Sequence, residues 1–340
     1  MAESDRYGWV RGRALVPVVV AAVLALAACQ PLGEGDGEPE GSQPSASGGN
    51  GGTGRLSIAT GGTGGVYFPL GGGLADLISE NVEGYSATAE ETNASVDNMN
   101  LIGSGDSDIA FVLGDTASDA VAGAGDFEAG AIDACALGIL YTNFTQLVAS
   151  SESGVAAVAD LAGKRVSLGE AGSGTEIIGL RILEAAGLDP DADIERAQLG
   201  VAETVDALRD GTLDAGFWSG GLPTGALVDY ASTGDMVLVP TGEFVTDLQG
   251  TYGEYYLDSE IPAEIYEGQA EAIPVIGVPN VLVVNTSMDE GLQEQLTALL
   301  FEQKDALVAV HPAAEELDQE TAGNVAFMDV CPGAQTFYGS

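Results

Sequence analysis

Beyond residue 54, short apolar runs and amphipathic stretches follow one another in an order that occurs twice. Residues 56–60 (LSIAT) read as a strand, the glycine run 61–65 follows, and an apolar-periodic helix covers about 68–79. A strand near 86–90, a polar loop at 91–94 and a helix at 95–102 come next. A Gly105-Asp106 turn then leads into a strand at 108–113. The second pass has a strand at 165–168, a Gly/Ser loop at 169–174 and a helix over 175–186 that stops at Gly187. A strand around 195–199, a helix at 202–209, an Asp210-Gly211 turn and a strand at 214–218 complete it. Each half thus reads β-α-β-α-β, which predicts an α/β fold of two lobes, each with a parallel sheet and right-handed crossovers. The apolar, β-rich segment 138–150 is the expected first crossing between lobes, and the return is expected near 261–284. The predicted division is 55–140 with 265–340 in lobe 1 and 141–264 in lobe 2.

The first 54 residues have another character. Arg6, Arg11 and Arg13 precede an apolar run over 14–28 that ends Leu26-Ala27-Ala28-Cys29. The charged start, the short apolar centre and the small residues at the end are those of a signal peptide at 1–28. Cys29 directly after them marks the lipidation site of a bacterial lipoprotein. Residues 29–54 are rich in Gly, Ser, Pro and Glu and cannot bury enough apolar surface to fold, so they read as a flexible tether. The expected location is extracytoplasmic, lipid-anchored to the outer face of the cell membrane.

Charge narrows the partners. The chain carries 52 acidic and 10 basic residues, a formal net charge of −42. Neutralising phosphates needs a basic face, so a nucleic-acid partner is excluded. Besides Cys29 there are Cys135 and Cys331, and either a disulfide or two separate buried thiols fits that even pair. With His311 the only histidine, no metal cluster of Cys and His can be assembled, and nucleophilic triads lack their base. No enzymatic role and no cofactor are expected.

Candidate chemistry lies in the loops. The run 61–67 (GGTGGVY) follows a first strand and opens a helix, so its backbone can approach a ligand closely and offer free N–H groups to an anion. The run 172–176 (GSGTE) has the same position in the second half, with Ser173 and Thr175 adding hydroxyls. The polar loop 92–95 (TNAS) and the segment 218–223 (WSGGLP) end neighbouring elements, so all four can converge on one cleft, where open α/β sheets bind ligands.

These residues closely resemble the TAXI family, the solute-binding subunits of tripartite ATP-independent periplasmic (TRAP) transporters. The marks are 61–69 (GGTGGVYFP), 91–98 (ETNASVDN), 160–176 (DLAGKRVSLGEAGSGTE), 210–216 (DGTLDAG), 261–269 (IPAEIYEGQ) and 278–283 (VPNVLV). The resemblance implies a two-lobed type II periplasmic-binding-protein fold with its ligand cleft between the lobes. It also implies capture of a small organic anion, a glutamate-like or C4/C5 dicarboxylate, for TRAP transmembrane subunits, by a chain expected to act as a monomer. Carried over, the ligand contacts are Thr63, Gly64, Tyr67, Thr92, Ser95, Ser173, Gly174 and Thr175, to which Trp218 is added from its loop. The competing expectations are the binding subunit of an ABC importer for a sulfonate, phosphonate or aromatic acid, and a ligand-presenting sensor. Three departures stand out. Asn93-Ala94 replaces the family's Gly-Gly, Leu113 stands where a polar residue often ends the strand, and Cys331 replaces the histidine of the late His-Pro-Gly-Ala motif. The last of these, with Cys135, favours a disulfide.

Overall fold

The computed structural model describes residues 53–339. The expected signal peptide, Cys29 and all but the last two residues of the tether lie outside the described residues. The first half contains β1 (Gly54–Ala59), α1 (Tyr67–Asn81), β2 (Tyr85–Glu90), α2 (Ser95–Ser104) and β3 (Ile109–Leu113). A helix that the pattern does not announce, α3 (Gly114–Ala122), continues from β3, and β4 (Ala134–Ser150) follows. The second half has β5 (Arg165–Ser167), α4 (Gly174–Ala185), β6 (Glu195–Ala197), α5 (Val201–Arg209) and β7 (Ala215–Gly220). It goes on through α6 (Gly225–Ala231), β8 (Met236–Val239), α7 (Val245–Thr251) and β9 (Leu257–Ile261). The chain returns along β10 (Ile273–Asn285) and ends in α8 (Glu290–Glu302), α9 (Lys304–Val310) and α10 (Pro332–Tyr338).

β1 pairs in parallel with β2 and β3, and β5 pairs in parallel with β6 and β7. Between these two triplets lie β10 and β4, antiparallel to each other and to β3 and β7 respectively. The resulting strand order is β2-β1-β3-β10-β4-β7-β5-β6. Helices cover both faces of each half, as the apolar faces of parallel strands require. In the first lobe Ile58, Phe111 and Leu282 pack under Leu74, Ile78 and Leu296, while Val112 and Val281 pack under Met99 and Ile102 on the other face. In the second, Val166 and Phe217 meet Ile178 and Ile182, and Val148 and Val275 meet Val205 and Leu227.

The return between lobes corrects the expected boundary at 265. Ile265 and Tyr266 pack with Ile261 and Val275 in the second lobe, as do Ile276 and Val278, whereas Val281 to Val284 belong to the first. The chain changes lobe inside β10, around Pro279 and Asn280. A strand that keeps its ladder through the switch carries no turn residues to announce it.

Contacts join the lobes beside the central strands. The Gly172 carbonyl accepts from the backbone N–H groups of Val96 and Asp97, at 3.1 and 3.2 Å. It therefore caps α2, a helix whose own N-cap residue supplies no side-chain bond. Further along, Arg181 of α4 pairs with Asp119 of α3 and lies 3.8 Å from Asp115. The Tyr256 hydroxyl donates to Asp115 (2.9 Å) and accepts from Arg181 (2.7 Å), and the guanidinium covers the Tyr252 ring at 4.1 Å. Burial pushes the Asp115 carboxyl up, against the pull of the guanidinium and the Tyr256 hydroxyl.

Cys135, the second residue of β4, is bonded to Cys331 at the start of α10, across 196 residues of sequence. Both are buried in the first-lobe core. Closing so long a loop restricts the unfolded chain, an effect of about 2–4 kcal/mol. Reductant is expected to lower the urea midpoint of the native chain and leave that of a C135A/C331A double variant unchanged, as followed by circular dichroism.

Candidate ligand site between the lobes

The carboxyl ends of β1 and β5 point their loops at each other, and a small cavity of about 20 Å³ lies between them. Tyr67, Ser95, Ser173, Gly174, Thr175 and Trp218 all line it. Thr63 and Gly64 line an adjoining cavity of about 30 Å³, which shares Gly62, Glu170 and Trp218 with the first. Eight of the nine sequence-predicted contacts therefore face one of two joined cavities. The ninth, Thr92, does not. Its hydroxyl donates to Asn98 Oδ1 (2.6 Å) and accepts from the Ala94 N–H (3.0 Å), so it braces the loop from within.

Two helices present their starts to the cavity. At the head of α4, Ser173 Oγ accepts from the Glu176 N–H (3.1 Å), a side-chain N-cap. The N–H groups of Gly174 and Thr175 have no acceptor among the described residues, and both residues are buried. The N–H groups of Tyr67 and Phe68 at the head of α1 are likewise unpaired. Orphan N–H groups and the helix dipole together make an anion seat, worth ~0.3–1 kcal/mol per charge when exposed and ~2 when partly buried.

The side chains complete a polar floor. The Tyr67 hydroxyl accepts from Asn280 Nδ2 (2.7 Å) and its ring stacks on Phe111, with centroids 5.4 Å apart. Burial holds its phenol well above the usual range, so it stays neutral. Thr175 Oγ1 accepts from the Ser219 N–H (3.2 Å), and Ser95 Oγ accepts from the Leu113 N–H (3.1 Å). Ser219 Oγ, Asn280 Oδ1 and both amide atoms of Asn143 are buried without a partner at hydrogen-bond distance and angle. Of these residues Ser219 lines the cavity, and an unpaired buried polar atom there is uncommon enough to indicate a missing partner.

Contact between the lobes leaves little space at the walls. A Cβ on Gly174 would come within 2.5 Å of Leu113 Cδ1, and one on Gly65 within 2.8 Å of the Trp218 ring. Leu113 supplies an apolar wall in place of a polar one. Ala94, at the N-cap of α2, is held at φ 71° and ψ −142°, a region that suits glycine.

Among the described residues no lysine, arginine or histidine lines either cavity. Arg181 is committed to Asp115 and Asp119, and Arg55 sits at the far end of β1 from the loop. The charged group the sequence reading missed is Glu170, which lines both cavities. Burial raises its carboxyl above the ordinary range, and Glu203 and then Glu91 push it the same way. Among 52 acidic residues nothing in the sequence marks this one. Asn280 escaped for a similar reason, since its role depends on which face of β10 it takes, and Ser219 lay within the 218–223 segment without being named as a contact.

Two α-β-rich lobes, joined by two antiparallel strands and holding a cleft at the carboxyl ends of their parallel strands, define the periplasmic-binding-protein fold. The chain belongs to the NMT1-like family, a model of which matches residues 58–339. Among solved structures it is similar to PhnD1 from Prochlorococcus marinus (MIT 9301) in complex with methylphosphonate. That match has a TM-score of 0.50 and 11% identity, covering 77% of this chain and 90% of that one. It is also similar to the periplasmic aliphatic sulphonate binding protein SsuA from Escherichia coli. There the TM-score is 0.44 and the identity 18%, covering 78% of this chain and 79% of that one. Among the described residues no helix is long and apolar enough to cross a membrane.

Two outcomes follow from the site's geometry. Replacing Ala94 with glycine is expected to raise the unfolding free energy by ~1 kcal/mol in urea titration, since the backbone there costs about that much for a residue with a Cβ. A carboxyl whose folded-state pKa lies above its unfolded value destabilises the fold once both are ionised, because the folded state binds the proton more tightly. The E170Q variant is therefore expected to melt above the parent near neutral pH. The gap should close as pH falls toward the unfolded value of 4.5.

Proposed function

We propose that this chain is an extracytoplasmic solute-binding protein that takes a small carboxylate into the interlobe cleft and presents it to a membrane transporter. The observation that carries the reading is the pair of helix starts, α1 and α4, with unpaired N–H groups facing one cavity lined by Ser95, Ser173 and Thr175. With no basic side chain at its walls among the described residues, the site holds negative charge by backbone and hydroxyl donors. Trp218 and the Tyr67 ring give the carbon skeleton an apolar surface.

The resemblance at residues 61–69, 91–98 and 160–176 points to a TRAP transporter as the recipient, with Cys29 as the lipid anchor and a glutamate-like or C4/C5 dicarboxylate as ligand. Catalysis has no part in this reading: the groups at the cavity bind and orient. A second reading, delivery of a phosphonate or sulfonate to an ABC importer, is supported by the same donors, which suit a tetrahedral anion as well. PhnD1, of the same fold, was solved with methylphosphonate.

A thermal-shift screen of amino acids, dicarboxylates, methylphosphonate and alkanesulfonates, run in high salt, separates these readings. A ligand that binds only the folded state raises the melting temperature by mass action. A C4/C5 carboxylate is expected to give the largest rise, and a rise with methylphosphonate alone would move the assignment to the second reading. Thr175→Ala is expected to weaken binding of the hit about tenfold by calorimetry, the loss of one hydrogen bond to a charged group at ~1.5 kcal/mol. Unchanged affinity would remove Thr175 from the ligand contacts.

A further inference from the structure

The joined cavities contain donors without acceptors and an acceptor without donors. The unpaired N–H groups of Gly174 and Thr175 stand on one side. On the other, the half-buried Glu170 carboxylate has no hydrogen bond or ion pair to any described residue, and its charged neighbours are Glu203 and Glu91. Glycines from both lobes make room for it. A Cβ on Gly62 would lie 3.1 Å from Glu170 Oε1, and one on Gly200 2.5 Å from it. Ser219, 7% exposed, lines the same cavity as Glu170 with its Oγ unpaired, which marks the space as one that a polar ligand fills.

A purely anionic ligand satisfies only the helix starts. It leaves Glu170 facing a further negative charge in a partly desolvated cleft, where such repulsion is strong. An ammonium group removes that conflict and supplies the hydrogen bonds that the carboxylate lacks. We propose that the ligand is a zwitterion, with a carboxylate seated on the start of α4 and an ammonium group held by Glu170. This rests on the solute-binding reading and narrows it, since it assigns C4/C5 dicarboxylates without an amine to the weak binders. Glu170 is then the residue that sets specificity for the amine, and Glu91 and Glu203 lend the same cavity additional negative potential.

The test is calorimetry on the full chain with acids that share a skeleton and differ in the amine. Suitable pairs are glutamate against 2-hydroxyglutarate, alanine against lactate, and leucine against 2-hydroxyisocaproate. For the pair that fits the cavity, the amino acid is expected to bind at least tenfold more tightly. E170Q is expected to bring the two within about threefold, by weakening the amino acid while the hydroxy acid holds or gains. Because the same variant is expected to melt higher than the parent, loss of the amine preference together with raised stability excludes misfolding as its cause. Equal affinity within the fitting pair, or a preference that survives E170Q, overturns the proposal. Binding of dicarboxylates or methylphosphonate with no binding of any amino acid overturns it too, and leaves the solute-binding reading standing. Failure of every compound in both sets overturns that reading and the proposal with it.

Discussion

The antiparallel pairing of β4 with β10 is the constraint on which the rest of the molecule depends. Each of these strands adds to the edge of a parallel triplet, β10 beside β3 and β4 beside β7. The two triplets are thereby held so that the loops after β1 and β5 meet. β10 also carries a group toward the cleft floor, since Asn280 donates to the Tyr67 hydroxyl, and β4 pairs with β7, whose Ser219 lines the cavity opposite Thr145.

Electrostatics sets the second condition. A chain of net charge −42 repels anions at long range, and the described cavity walls add no cation to offset this. Salt near 0.1 M shortens the reach of that repulsion to about 10 Å. The N–H groups at the helix starts act within hydrogen-bond distance and are screened far less. The long-range and short-range parts of recognition therefore respond differently to ionic strength, and the acidic surface is compatible with an anion seat where salt is abundant.

Much of the fold was legible because its signals are local. The alternation of apolar positions in 56–60 and 165–168, the glycine runs and the helix stops at Gly105 and Gly187 depend only on near neighbours. They placed β1, α1, α2, α4 and α5 within one or two residues of their observed ends. The helix α3 was not legible: it follows β3 with no intervening turn, and its sequence (GDTASDAVA) is small and weakly apolar. The return was expected near 261–284, which contains β10, but its point within that range was not legible, because a strand crossing between cores looks like any buried strand. At the site, the Gly/Ser loops could be recognised by position and resemblance. Thr92 could not be sorted from Ser95, because a hydroxyl that braces a turn and one that faces a cavity have the same sequence signature. The Arg181 contacts join residues more than sixty apart, so only the folded chain reveals them.

That ion-pair cluster bears on residence time. Arg181, Asp115, Asp119 and Tyr256 bridge α4 to α3 and β9's approach, away from the cavity walls, so none of them needs to distinguish one occupant from another. Separating the lobes would expose the Asp115 carboxylate and part the guanidinium from it, a loss charged to the opening step whatever lies in the cleft. On the proposed solute-binding reading, such a clasp would slow escape of every occupant by a common factor. On that reading selectivity resides in the loops and dwell time in the clasp, two separate parts of the fold.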